Sequence, residues 1–206
     1  MGSSPPRRFA VDKNERRQKL LQHAREVFAK RGYHATKIED IVVAAGVARG
    51  TFYLYFEDKR AVFEEIVDRT LAKLAMAILR VDPHDPSRSV ADQVRENIRR
   101  VVRILLEDRA TTKILLTGAL GVDEAFDRKV HSFTDEIAKL LMESLADGQA
   151  LGLVVRGDVT LLACMTLGAL KELLYQVVLR ELALPEEAVV EALFAFLSQG
   201  LLRVAL

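Results

Sequence analysis

An all-α fold is what this sequence predicts, and three observations carry it. Apolar residues recur at steps of three and four along most of the chain, no segment reads as a convincing strand, and breaks centred on glycine or proline separate the periodic runs. About nine helices result, arranged as an N-terminal three-helix unit that contains a helix-turn-helix, followed by a larger helical unit. At 206 residues, half of them hydrophobic, the chain can bury a sizeable core in one or two domains.

Met1 to Ala10 has two prolines and no periodicity and reads as a disordered tail. The first helix is expected from about Asp12 to Arg31, with Leu20, Leu21, Ala24, Val27 and Phe28 as its buried stripe and Gly32 as its stop. Thr36 followed by Glu39 has the form of a capping box: the hydroxyl accepts a backbone N–H and the carboxylate reaches back, so a second helix should begin at about Lys37. Ile38, Ile41 and Val42 give it one apolar face, and Gly46 ends it. Ala45 to Ala48 is then a tight turn. In the run that follows, RGTFYLYF from Arg49, Phe52 and Phe56 fall four apart and point inward, while Arg49, Thr51, Tyr53 and Tyr55 share the outer surface.

That outer set suits a DNA backbone. Phosphate oxygens accept hydrogen bonds from Arg, Thr and Tyr, and a helix fits the major groove. Gly50 is small enough to let the helix start lie close against a groove wall. An ordinary amphipathic helix pair with a solvated face would show a similar pattern, and the paired exposed tyrosines are what favour DNA. Charge points the same way. Residues 1–60 carry 13 Lys and Arg against 7 Asp and Glu, whereas residues 61–206 carry 17 against 22, although the whole chain is only +1. A basic end on an otherwise acidic protein is the footprint of one domain that faces a polyanion.

Three groups of residues stand together between Arg17 and Lys59: A-x-x-x-F and R-G-Y at the end of the first helix, Thr36 with Ile-Glu-Asp-Ile after it, and A-G-V-A-x-G-T-F-Y-x-Y-F followed by D-K. In this composite the chain resembles the DNA-binding domain of the tetracycline-repressor-like (TetR) family of bacterial transcription regulators, over about 45 residues in one ungapped block. The resemblance implies a helix-turn-helix DNA-binding domain over residues 11–57 and a ligand-binding and dimerisation domain over 58–206. It implies that Thr36 and Lys37 sit at a phosphate, that Arg49, Gly50, Thr51, Tyr53 and Tyr55 meet phosphates or base edges, and that Lys59 anchors a phosphate. One departure is Ala48, where the family usually has a capping Ser. Loss of that cap costs about 1 kcal/mol and leaves the recognition helix frayed until DNA orders it.

The fourth helix starts after Asp58 and is expected to reach about Val81, carrying Val62, Phe63, Ile66, Leu71, Leu74, Ala75 and Ile78 inward and linking the two units. Asp82 to Ser87 is a double-proline break. A fifth helix, about Arg88 to Glu107, places Val90, Val94, Ile98, Val101 and Leu105 on one side and Arg95, Arg99 and Arg103 on the other. This row reads as a solvated face paired with Asp92 and Glu96, or as a clamp for an anionic head group. The sixth helix, about Arg109 to Ala119, ends near Gly118 and Gly121. The seventh, about Asp123 to Gln149, has the cleanest amphipathic pattern, and Gly148, Gly152 and Gly157 turn the chain into the eighth. The eighth helix, about Asp158 to Arg180, and the ninth, about Glu186 to Val204, are apolar nearly all round. Helices of that kind are buried on more than one side. The expected arrangement is a two-fold homodimer through helices 8 and 9 of each chain.

Catalytic chemistry is not evident. His23, His34, His84 and His131 lack metal-ligand spacing, and Cys164, the one cysteine, reads as a buried thiol without a base. No metal, no cofactor and no enzymatic activity are expected. A single cysteine forms no internal disulfide and fits a reducing compartment. There is no signal-peptide pattern and no uncharged run of about 18 residues, so the expected location is the cytoplasm, with no membrane partner. Small-molecule pockets are mostly apolar with a few polar groups. Leu105, Leu116, Thr117, Phe126, Val130, Phe133, Cys164, Met165, Gly168 and Tyr175, with His131 and Lys171 as polar contacts, are the candidate lining, a role that rests mainly on the resemblance. Arg99, Arg103 or Lys171 would neutralise an acid group on an acyl ligand. The function expected is a ligand-responsive transcriptional repressor that binds a palindromic DNA operator as a dimer and is released by a small hydrophobic effector. The alternative is an all-helical carrier of apolar molecules whose N-terminal unit contacts protein.

Overall fold

The computed structural model describes residues 8–117 and 124–200, with backbone alone for 8–12, 125 and 126, and among the described residues every element is a helix. They are α1 (Arg8–Arg31), α2 (Ile38–Ala45), α3 (Arg49–Tyr53), α4 (Lys59–Ala77), α5 (Val90–Glu107), α6 (Arg109–Thr117), α7 (Glu124–Ala150), α8 (Val159–Leu174) and α9 (Glu186–Gly200), with a single π-helical turn, Tyr175–Leu179, continuing α8. Three residues of the expected disordered tail are helical instead. Arg8 to Ala10 form the first turn of α1, and residues 1–7 lie outside the described residues, as do Gly118 and Gly121.

The start of α2 differs from the expected capping box. Thr36 is 2% exposed, and its hydroxyl donates to the Gly32 carbonyl at 2.7 Å instead of accepting from the helix. The reaching-back carboxylate is Asp40, which accepts the Lys37 N–H at 2.9 Å, one residue further along than Glu39. That hydrogen bond, then Arg31 alongside, holds the Asp40 carboxyl below the usual range. Gly46 ends α2 as expected, with φ +63.

Around α2 the N-terminal core closes as the stripes require. Leu20, Leu21, Ala24 and Phe28 of α1 pack with Ile41, Val42, Phe52, Phe56, Val62 and Phe63. The rings of Phe28, Tyr33 and Phe63 stand 5.0–6.4 Å apart, in reach of tilted and edge contacts. This core is not sealed off from the rest. Ile114 of α6 is buried in it, and Val130 and Phe133 of α7 pack against it.

Helix α4 stops at Ala77, four residues short of expectation, and the reason lies in α5. The Asn97 amide both donates to the Leu79 carbonyl (2.7 Å) and accepts the Leu79 N–H (3.1 Å), and Gln93 treats Asp82 in the same way at 2.8 Å in each direction. Two side-chain amides thus take the backbone partners that further helical turns would have needed, and residues 78–82 lie as a strap along α5. The arginine row of α5 is an inter-helix zipper. Arg95 pairs with Glu191, Arg99 with Glu187 and Arg103 with Glu186, all on α9, at 2.9, 2.6 and 3.1 Å. Asp92 and Glu96 supply further partners on α5 itself. At the end of α7, Gly148 lies inside the helix, and Gly152, at φ +72, ends it. A Cβ on Gly148 would stand 2.5 Å from Val154 Cγ2, so the return of the chain towards α8 needs a glycine there.

Candidate DNA-binding face and effector cavity

Helix α3 is only five residues long and starts at Ala48 without a side-chain cap. What fixes it is its inner face, because Phe52 is fully buried and Phe56 4% exposed. Outside stand Arg49 and Gly50, both exposed, Tyr53, 46% exposed, and Thr51, half-buried. The Arg49 guanidinium donates to the Tyr53 hydroxyl at 3.3 Å and pairs with Glu39 of α2 at 2.5 Å, contacts that hold it further in its charged form. It is therefore held beside the tyrosine by contacts within the chain. Among the described residues, nothing outside its own helix backbone and chain neighbours comes within 4 Å of a Cβ built on Gly50, so no packing contact there demands glycine. Lys37 is exposed at the start of α2, on the same unit.

Three of the expected contact residues are placed differently. Thr36 is buried and its hydroxyl engaged. Tyr55 lies in the turn after α3, because the helix ends at Tyr53, and its ring packs half-buried against the N-terminal core. The Lys59 ammonium donates to three carbonyls, those of Tyr33 (2.8 Å), Thr36 (2.9 Å) and His34 (3.3 Å), and sits 4.3 Å from the centre of the Tyr33 ring. An ammonium has three donors, and here all three face the α1–α2 turn.

An apolar cavity is present among the described residues, but not where the sequence placed its lining. A space of about 420 Å³ opens between the 78–81 strap, α5, α7, α8 and α9, lined by apolar side chains such as Ile98, Val101, Leu141, Leu145, Leu167, Leu170 and Leu193. None of the eleven expected lining residues whose side chains are described borders it. Leu105 and Leu116 belong to a neighbouring packed cluster with Leu74 and Leu174, and Phe133 bridges that cluster and the N-terminal core. Val130 packs on the N-terminal core, Thr117 bonds the Lys113 carbonyl, and His131 is exposed. The Phe126 side chain lies outside the described residues. Cys164, Met165, Gly168 and Lys171 on α8, and Tyr175 at the start of the π-helical turn, are all exposed, so the thiol is not the buried one expected. Rotation of α8 about its axis is what separates these residues from the wall, where Thr166, Leu167 and Leu170 stand instead.

Both α8 and α9 turn apolar residues outward. Leu161, Met165 and Phe196 are 62%, 59% and 57% exposed, with Cys164, Gly168 and Ala192 among them. By length and hydropathy Val159–Leu179 is the one segment among the described residues that could cross a membrane, although Lys171 and Glu172 interrupt it. Among the described residues no group of three His, Cys, Asp or Glu could hold a metal.

Residues 20–66 match the family model described as bacterial regulatory proteins, tetR family. The chain is 33% identical over 141 residues to the uncharacterised HTH-type transcriptional regulator YdgC of Bacillus subtilis (strain 168), covering 67% of this chain and 68% of YdgC. The chain belongs to the TetR family. It is a DNA-binding transcription regulator with the N-terminal helix-turn-helix and helical C-terminal region of that family. The HTH-type transcriptional repressor KstR2 of Rhodococcus jostii (strain RHA1) is 29% identical over 137 residues, 66% of this chain and 57% of KstR2. Among solved structures, the transcriptional regulator FadR of Bacillus subtilis in complex with stearoyl-CoA superposes with a TM-score of 0.72 at 22% identity, covering 89% of this chain and 98% of FadR. At that identity the likeness is one of fold.

Proposed function

We propose that this TetR-family protein represses transcription by binding a palindromic operator as a two-fold dimer, and that a small hydrophobic effector in the C-terminal cavity releases it. The observation that carries the reading is the course of α4. Its first turn abuts the helix-turn-helix through Lys59, and the strap that follows it forms one wall of the cavity through Ile78, Leu79 and Val81. A molecule that wedges the strap from α5 moves the element on which the reading unit is mounted. The DNA-binding domain is taken as residues 11–57 and the effector and dimerisation domain as 58–206, acting in the cytoplasm. Lys37, Arg49, Gly50, Thr51 and Tyr53 make the contacts to phosphates and base edges, while Thr36, Tyr55 and Lys59 hold those residues in place.

The dimer forms through the outward faces of α8 and α9, whose exposed leucine, methionine and phenylalanine make a patch larger than isolated surface apolars. Symmetry then spaces two α3 helices by about 34–36 Å, one turn of DNA. The effector acts to the extent that it prefers the non-DNA conformer, since a ligand indifferent to the two states shifts nothing. KstR2 is named as a repressor, which supports the sign of the effect.

Selection of bound duplexes from a random pool, followed by a screen of hydrophobic compounds for release of the selected duplex, tests both halves. A palindrome bound with steep salt dependence, and released by an apolar compound, is the expected result. Indifference to every duplex at low ionic strength would return the carrier reading.

A further inference from the structure

The cavity carries information about the head group of its occupant. Three charged residues line it: Arg80 on the strap, and Glu143 and Asp147, one turn apart on α7. Arg80 reaches Asp147, Nε to Oδ2 4.0 Å. Glu143 makes no hydrogen bond or ion pair with another described residue. Two of the neutral polar liners have their donors committed, the Asn97 amide to the Leu79 backbone and the Thr166 hydroxyl to the Leu162 carbonyl. The rim therefore offers an anion one guanidinium, 4.0 Å from Asp147, and sets against it Glu143, an exposed carboxylate with no charged partner among the described residues. Nor do the basic residues that the sequence suggested for an acid head group serve. Arg99 and Arg103 are paired with Glu187 and Glu186, and Lys171 is outside the lining.

We propose that the cavity takes an amphipathic cation, with its apolar body among the leucines and valines of α5, α7 and α8 and an amine or quaternary ammonium against Glu143. This rests on the effector reading for its consequence in transcription, but not for the binding itself. An apolar molecule ending in a carboxylate or in phosphates meets like charge at the same place.

Titration calorimetry on the full chain, with decyltrimethylammonium, decylamine, decanol, decanoate and decanoyl-CoA below their micellar concentrations, tests it. The two cations are expected to bind about fivefold more tightly than decanoate, and Glu143→Gln to weaken them about three- to fivefold while leaving decanol within about twofold, the upper end of the range for an exposed ion pair. Leu167→Phe, which fills the wall, should weaken cations and decanol together, with the helical circular dichroism retained as the check on folding. The assignment is overturned if decanoate or decanoyl-CoA binds as tightly as the cations, if Glu143→Gln leaves the cations unaffected, or if none of the five binds. Release of the selected operator duplex is followed separately. A cation that binds in a Glu143-dependent way without releasing DNA leaves the ligand class standing and overturns the effector reading alone.

Discussion

Lys59 illustrates what a single side chain decides. Its ammonium gathers the carbonyls of Tyr33, His34 and Thr36 while its charge lies over the Tyr33 ring, so it ties α4 to the turn between α1 and α2. Hydrogen bonds to a charged group contribute about 1.5–3 kcal/mol net, and Lys59→Ala is expected to lower the stability of the N-terminal unit by that order in thermal or denaturant unfolding. An unchanged melting temperature, together with a salt slope of DNA binding flattened by about one, would instead make it a phosphate anchor. Tyr53→Phe separates the other role. It removes the hydroxyl that receives Arg49 without disturbing a buried group, so operator affinity should fall across sequences, by about 1 kcal/mol, with stability unchanged. A drop in melting temperature comparable to that of Lys59→Ala would contradict this assignment. The inward pair Phe52 and Phe56 was legible from spacing, because a four-residue step fixes which side of a helix turn faces the core. The partners of Lys59 and Thr36 were not, because they are carbonyls set by how the turn folds, and the backbone of a turn leaves no side-chain pattern.

Between helices, the informative contacts are those that stop or join elements. Asp108, between α5 and α6, accepts the Thr111 N–H at 3.1 Å and pairs with Arg25 of α1 at 2.6 Å. Burial pushes its carboxyl up, but the Thr111 N–H and hydroxyl and the Arg25 guanidinium outweigh this and hold it below its ordinary 3.8. A carboxylate depressed in the folded state contributes stability that is present above the unfolded pKa and lost as pH falls through the folded one. Acid titration of the unfolding free energy should therefore steepen below about pH 4 in the native chain and less so in Asp108→Asn. Equal profiles would remove Asp108 from the α1–α6 junction. Gly148→Ala brings a methyl to 2.5 Å from a branched, stiff valine, and overpacking of this kind costs about 1–3 kcal/mol. Gly148→Ala with native stability would mean that the α7–α8 return shifts freely. The helices themselves were legible from periodicity, and so were their order and most of their starts. The end of α4 was not, because Asn97 and Gln93 compete for its backbone from 11 to 18 residues away, and polar residues at those positions look like ordinary solvent-facing ones. The arginine row of α5 was legible as an ion-paired face, but its main partners are on α9, a pairing that only the packing of the two helices reveals.

At the scale of the molecule, one apolar helix faces two ways, and the sequence does not say which residue faces which. The all-round apolar character of α8 was plain, and the inference that it is covered twice followed from it. The rotation that sends Leu167 and Leu170 to the cavity and Leu161, Cys164 and Met165 outward depends on how α7 and α9 seat against it, so the α8 residues expected to line the cavity face outward instead. The outward face is the proposed dimer contact, and a charge there tests it without touching the cavity wall. Leu161→Glu or Phe196→Glu places a carboxylate in the centre of an apolar contact, where an unpaired charge is strongly disfavoured, while each side chain is more than half exposed within one chain. The expected outcome is a folded monomer by light scattering, with helical circular dichroism and melting of the single chain retained. Operator affinity should fall by about 10²–10⁴, because two linked half-site contacts become one. Binding of an isolated half-site by the monomer should remain, weak and salt-dependent, since the Arg49–Tyr53 face is carried within each chain. A dimer that survives both substitutions would place the two-fold interface on another surface. A monomer that holds the full operator as tightly as the native protein would sever the link between dimer symmetry and DNA recognition.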